Sequence, residues 1–333
     1  MNIKEERPVI NIDDVKAAYE RIKPYIRHTP LLDAYNMKSE LGCEAYMKPE
    51  MLQYVGAFKL RGALNAILSM DESKRKHGII TSSSGNHAQA CAYAGQLLNI
   101  PVTVVIPEDA PAIKINNAKA MGANVILWER DYYSRLDKVK SEAAKHGYEI
   151  VHPYEDPRVM AGQGTIAIEI LNDLPDVDKI LVPIGGGGLI SGIAAASKAL
   201  KPDIKIIGVQ PSASPAYFNS RKEGHRVSVD PLPTVADGLA CRQAGDNPYI
   251  MIEKYVDDII TVDDEQIVDA VRLIANKAKL IAEPSSCVGP AALLYKKLSV
   301  RPDEKVVCVL TAGNWSLEDI AHLYIGDEIR RIH

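Results

Sequence analysis

Lys179-Ile-Leu-Val-Pro-Ile184 runs directly into Gly185-Gly186-Gly187-Gly188, and these into Leu189-Ile-Ser-Gly-Ile-Ala-Ala-Ala-Ser-Lys-Ala-Leu200. The first segment is apolar and strand-length, as a strand buried on both faces reads. The four glycines form a tight turn, and the alanine-rich segment after them is helical. Strand, turn and helix in that order form half of a parallel α/β unit.

The same alternation extends outward in both directions. Strands are expected at Ala45–Lys48, Gly78–Thr81, Val102–Ile106, Asn124–Leu127 and Glu149–His152. Further strands are expected at Ile204–Gln210, Asp257–Val262 and Lys305–Leu310. Helices are expected from Asn11 or Asp13 to Pro24, and over Arg61–Met70, Ala88–Leu97, Ala110–Met121, Asp131–His146 and Ala161–Asp173. Two more are expected over Asp264–Lys279 and Pro290–Leu298, with Ser212–Asp246 loop-rich. Strict alternation predicts parallel pairing through right-handed crossovers.

The 333 residues suffice for two cores, and 47% hydrophobic with 25% charged residues is ordinary for a globular chain. A net charge of -4 gives no support to nucleic-acid binding. No apolar run is long enough to span a membrane, and the acidic N-terminus with Glu5 and Glu6 lacks a signal-peptide core. The five scattered cysteines read as reduced core residues, so a cytoplasmic protein is expected. The eight histidines are isolated, and no metal site is expected.

Three turns carry chemistry. Gly185, Gly186, Gly187 and Gly188 offer backbone N–H groups and a helix N-terminus to a phosphate. The dinucleotide fingerprint fails, because its third glycine falls on Ile190 or Ser191. The triphosphate loop fails, because Ile193 and Ala194 stand where Lys and Ser/Thr belong. Ser82-Ser83-Ser84-Gly85-Asn86-His87 also lies between strand and helix and suits a carboxylate, although serine and asparagine there also suit a simple N-cap. Thr311-Ala312-Gly313-Asn314 ends a buried strand. All three fall at the carboxyl ends of strands, where open α/β folds bind ligands. A fourth stretch, Gly56-Ala57-Phe58-Lys59-Leu60-Arg61-Gly62-Ala63, places one lysine among small and apolar residues. A lysine in such a pocket loses proton affinity, and a neutral amine can form a Schiff base.

Together these stretches resemble the fold type II family of pyridoxal-phosphate (PLP) enzymes, in the branch of threonine/serine dehydratase and serine racemase. His28-Thr-Pro-Leu-Leu32 and Glu283-Pro284-Ser285 extend the likeness over nearly the whole chain. Lys59-Leu60-Arg61 is similar to the dehydratase branch; the sulfhydrylases and threonine synthases usually carry Lys-Asp-Arg. The resemblance implies two doubly wound open-sheet α/β domains, as in the tryptophan synthase beta chain, with PLP in the cleft between them. Residues 1–52 and 153–333 would form the large PLP-binding domain and 53–152 the small domain that receives the substrate carboxylate. Lys59 would lie at their junction, and no C-terminal regulatory domain is expected.

By the same resemblance, Lys59 would be the Schiff-base lysine and move protons at Cα. Phe58 would pack on the PLP ring, and Asn86 would contact O3′. Gly185 to Gly188 would hold the phosphate, Thr311 would meet the pyridine nitrogen, and Glu283 would also border the cofactor. Ser83, Ser84, Gly85, Asn86 and His87 would bind the substrate carboxylate. Ser84 would be the second catalytic residue, because racemases of this branch carry serine immediately before Gly-Asn-His. The family's divalent-cation site usually needs two acids where this chain has Gln210 and Ala216.

The expected protein is a homodimeric or homotetrameric L-threonine/L-serine dehydratase that acts on a small amino acid. Three alternatives stand beside it: a serine or other amino-acid racemase, a 3-hydroxyaspartate dehydratase, and a non-catalytic PLP-binding or amino-acid-sensing protein. A basic side-chain pocket would distinguish the hydroxyaspartate enzyme.

Overall fold

The structure, a computed structural model, describes residues 7–110 and 112–325. Glu5, Glu6, Pro111 and His333, together with the outer ends of the expected large domain, lie outside the described residues. Among the described residues, ten strands form two sheets: β1 (Leu32–Asp33), β2 (Glu44–Pro49), β3 (Ile79–Ser82), β4 (Val102–Pro107), β5 (Asn124–Trp128), β6 (Glu149–Ile150), β7 (Lys179–Pro183), β8 (Lys205–Pro211), β9 (Asp258–Val262) and β10 (Lys305–Leu310). The larger sheet has the order β1-β2-β10-β7-β8-β9 and is parallel except for β1, which runs antiparallel to β2. The smaller sheet has the order β5-β4-β3-β6 and is wholly parallel. The α/β class and the open parallel sheets expected from the sequence are therefore present.

The central strands feed two cores because successive side chains point to opposite faces. On β10, Val307 and Val309 join one cluster, while Val306, Cys308 and Leu310 join the other. The smaller sheet divides likewise, with Ile79, Val104 and Ile106 on one face and Ile80 and Val105 on the other. Burial on both faces explains the unbroken apolar runs.

Several element boundaries differ from expectation. The helix expected over Ala161–Asp173 begins at Pro157, because the Asp156 side chain caps it and proline suits its first turn. The segment expected to be loop-rich contains a helix, Ala216–Glu223. Its short polar sequence after Pro215 gives little apolar periodicity. A further helix, Asp246–Tyr255, lies where none was read. The helix expected to run to Lys279 stays α-helical only to Leu273 and loosens into a π-turn over Ile274–Ala278, ended by Lys279 at φ 57°. The helix expected over Pro290–Leu298 spans Val288–Leu294, because Lys296 takes a positive φ of 52°. β6 is two residues long, since the chain turns away at His152-Pro153.

Candidate active site

Four segments converge from the carboxyl ends of β2, β3, β7 and β10. Ala57 bridges to Ala312, Phe58 N–H donates to the Thr311 carbonyl (3.0 Å), and Gly313 N–H donates to the Gly56 carbonyl (3.1 Å). The Asn314 side chain donates to the carbonyl of Val55 (2.8 Å) and to Asn86 Oδ1 (2.9 Å). The lysine segment, the Thr311 turn and the serine turn are thus joined by direct hydrogen bonds.

Lys59 opens the helix Lys59–Leu68, two residues before the expected start. Its Nζ donates to the Pro153 carbonyl at 3.0 Å and lies 5.0 Å from the centre of the Phe58 ring. Burial draws the amine down to about 8. The neighbouring histidines lose their protons for the same reason: His87 is lowered to about 3 and His152 to about 4, by burial first and by the Lys59 charge second.

Tyr154, one residue beyond Pro153, covers the tetraglycine turn. A Cβ on Gly186 would lie 2.2 Å from its Cδ1, so no side chain fits there. Tyr132 Oη lies 2.8 Å from Tyr154 Oη and 3.2 Å from His152 Nε2. Burial raises the pKa of Tyr154 and of the Cys241 thiol, so both stay neutral. Gly187 adopts φ 89°, a left-handed conformation that glycine takes without strain. Gly188 starts the helix to Leu200, so its N–H is free of intrahelical bonding. Gly185 is partly exposed. This is a cradle of N–H groups at the positive end of a helix, suited to a phosphate.

The serine turn holds helix Asn86–Leu98 by its N-terminus. Ser83 Oγ accepts from Gly85 N–H at 3.2 Å. Ser84 is half-buried, and no described residue hydrogen-bonds its hydroxyl. His87 is turned inward: Nε2 lies 3.2 Å from the Val151 carbonyl, and Nδ1 is buried without a partner. Asn86 Nδ2 donates to both Glu283 oxygens at 3.3 Å. Burial pushes the Glu283 carboxyl up to about 7, against the Asn86 hydrogen bond. Thr311 Oγ1 meets Ser286 Oγ at 2.9 Å, and Ser286 Oγ also bonds the Ala312 backbone at both its N–H and its C=O.

Sequence reading missed three features around this centre. Tyr154 follows the carboxyl end of β6, a position that could have singled it out. Tyr217 lies in the segment read as loop, which gave no signal. The third is a sealed charge network behind the lysine. Arg61 bonds Glu50 and Glu169 through four N–H donors at 2.7–2.8 Å, and Lys48 bonds Glu169 at 2.7 Å and the Thr29 carbonyl at 2.6 Å. Burial opposes the Arg61 charge, but the two carboxylates outweigh it and raise its pKa. Burial likewise opposes the Glu169 charge, and Arg61 and Lys48 hold its pKa below the usual range. The only trace of the network in the sequence is a set of lone charges inside apolar segments.

Residues 22–312 match the model of a family described as "Pyridoxal-phosphate dependent enzyme". Over 315 residues the chain is 41% identical to the L-threo-3-hydroxyaspartate ammonia-lyase of Saccharomyces cerevisiae, covering 95% of this chain and 96% of that protein. It is 41% identical over 306 residues to the L-threonine ammonia-lyase of Thermotoga maritima, covering 92% of this chain and 76% of that one. Among solved structures, maize serine racemase superposes with a TM-score of 0.91 at 35% identity, covering 98% of this chain and all of that one. Among the described residues, no helix is long and apolar enough to cross a membrane.

Proposed function

Because the chain belongs to the pyridoxal-phosphate dependent enzyme family, we propose that it is an ammonia-lyase converting L-threonine or L-serine to a 2-oxo acid and ammonia. The residues present fit the cofactor. A glycine turn in which a Cβ on Gly186 or Gly187 would clash offers a phosphate its N–H groups, and a partly buried lysine whose amine sits near 8 offers a Schiff-base nitrogen. When bound, PLP supplies the electron sink that lets the Cα–H bond break and the β-hydroxyl leave.

The chain's own residues position that chemistry. We assign Lys59 Nζ to hold the cofactor and to take the proton from substrate Cα, with the Pro153 carbonyl orienting it. Gly185, Gly186, Gly187 and Gly188 receive the phosphate. Phe58 would pack against the ring, Asn86, its amide fixed by Glu283 and Asn314, would serve O3′, and Thr311 would serve the pyridine nitrogen. Ser83, Ser84, Gly85, Asn86 and His87 receive the substrate carboxylate. His87 serves through its backbone, because its ring points to Val151. Residues 53–152 would then form the carboxylate-binding domain, and 1–52 with 153–333 the cofactor domain.

The observation that carries this reading is the Lys59 amine at the meeting of four strand ends. The groups it senses, Cys91, Cys241, His87 and His152, are all neutral near pH 7. Neutral surroundings at the amine favour an uncharged substrate side chain over the second carboxylate of 3-hydroxyaspartate. Racemisation is the second reading, favoured by the Ser84 hydroxyl, which no described residue engages. The test is incubation of the holoenzyme with L-threonine, L-serine, D-serine and L-threo-3-hydroxyaspartate, following oxo acid and product chirality. Oxo acid without the opposite enantiomer supports the lyase, and inverted serine supports the racemase. Fastest turnover of hydroxyaspartate would overturn the substrate assignment. Bound cofactor without turnover of any of them would leave a binding protein.

A further inference from the structure

Against Gly187 of the tetraglycine turn lies a second tyrosine that belongs to no motif. Tyr217 is fully buried. Its hydroxyl donates to the Gly186 carbonyl at 2.8 Å and accepts from Gly245 N–H at 2.9 Å. A Cβ on Gly187 would lie 2.4 Å from that oxygen, so hydroxyl and turn are in direct contact. A trans peptide points its C=O and N–H in opposite directions. Holding the Gly186 carbonyl toward Tyr217 therefore turns the Gly187 N–H the other way. Ser191 does the same for the next peptide, its N–H (3.1 Å) and Oγ (2.8 Å) both donating to the Gly187 carbonyl. No described residue accepts from the Gly186 or Gly187 N–H.

Tyr217 is held in turn by Gln210, at the end of β8 and also fully buried. Gln210 Oε1 accepts from the N–H groups of Tyr217 (3.0 Å) and Phe218 (2.9 Å). Its Nε2 donates to the carbonyls of Ser214 (3.3 Å) and Ile184 (3.5 Å), the latter adjoining Gly185. One neutral amide thus satisfies two donors and two acceptors. A carboxylate there would leave two carbonyls facing a negative charge with no proton or cation between them.

We propose that Gln210 and Tyr217 are positioning residues, a cation-free brace that aims the backbone N–H groups of the tetraglycine turn at the cofactor phosphate. The proposal rests on the assignment of Gly185–Gly188 to the phosphate. The brace acts on the phosphate alone, so its signature is discrimination between PLP and pyridoxal, which lacks the phosphate.

The test is titration of the full chain, stripped of cofactor, with PLP and with pyridoxal, followed by cofactor absorbance in EDTA. In Tyr217→Phe, Kd for PLP is expected to rise about tenfold and Kd for pyridoxal by less than about twofold, the scale of one lost hydrogen bond. In Gln210→Glu, where the amide donors are lost and two carbonyls face a charge, Kd for PLP is expected to rise about tenfold and Kd for pyridoxal by less than about twofold, while the parent is insensitive to EDTA. Retained discrimination in a folded Tyr217→Phe, judged by circular dichroism, overturns the brace. So does a parent whose PLP affinity falls in EDTA, or a folded Gln210→Glu that binds PLP as tightly as the parent. A parent that binds PLP and pyridoxal equally overturns the phosphate assignment itself, and the brace with it.

Discussion

Arg61 holds Glu169 through two parallel bonds, Nη1 to Oε1 at 2.7 Å and Nη2 to Oε2 at 2.8 Å, with both side chains sealed from solvent. Arg61 stands two residues after Lys59 in the same helix, so the pair anchors the turn that carries the amine. Removing one partner of a buried pair strands the other charge. Glu169→Ala is therefore expected to cost about 3–5 kcal/mol of stability, measured by urea denaturation. A loss under about 1 kcal/mol would show the pair to be dispensable.

Lys59 should be indispensable. In Lys59→Ala, turnover is expected to vanish and the absorbance of the bound cofactor to change. In the parent, burial favours the neutral amine above about 8. The rate at which stripped protein captures PLP should climb by up to about tenfold per pH unit below that value and level off above it. Stopped-flow absorbance between pH 6 and 9 is the check; a flat profile would place the amine outside the capture step.

Glu283 makes an opposite prediction. Its carboxyl is raised from 4.5 to about 7 by burial. Between those values the folded chain keeps a proton that the unfolded chain has lost, so this group lowers stability as pH rises through the window. Glu283→Gln has no such proton. The variant should gain on the parent in unfolding free energy from pH 4.5 to 7, by at most about 1.4 kcal/mol per pH unit, and hold a constant lead above. Chemical denaturation of both cofactor-free proteins across that range tests the slope.

Gly187→Ala should fail for two independent reasons. Its φ of 89° is strained for alanine, and the new methyl would meet Tyr217 Oη. The conformational part alone is worth about 1–2 kcal/mol, and PLP affinity should fall with it. Unchanged PLP binding in equilibrium titration would show that the turn does not hold the phosphate.

Much of this architecture was legible in the sequence because parallel strands buried on both sides read as unbroken apolar runs. Residues just beyond such runs fall at strand ends, which is how Ser84, Gly185 and Thr311 could be grouped, while Lys59 stood out by its small and apolar neighbours. Gln210 was legible as the end of a strand but not as a partner of Tyr217. Their partners are mostly backbone atoms, which have no sequence signature, and the helix Ala216–Glu223 has too little apolar periodicity to announce itself. Lys48, Glu50, Arg61 and Glu169 were equally opaque. A charge within an apolar stretch signals burial only once its opposite is known to face it, and these four are separated by up to 121 positions.

The hydrogen bond from Lys59 to Pro153 joins the two connections between the sheets. The chain leaves the larger sheet after β2 through the segment that carries Lys59, and it returns after β6 through His152-Pro153-Tyr154. Both crossings meet at the amine. In a rotation of one sheet against the other about an axis through these crossings, displacement grows with distance from that axis. The lysine would sit near the fulcrum. The group assigned to proton transfer would then stay almost still while the parts of the smaller sheet farther from the crossings move.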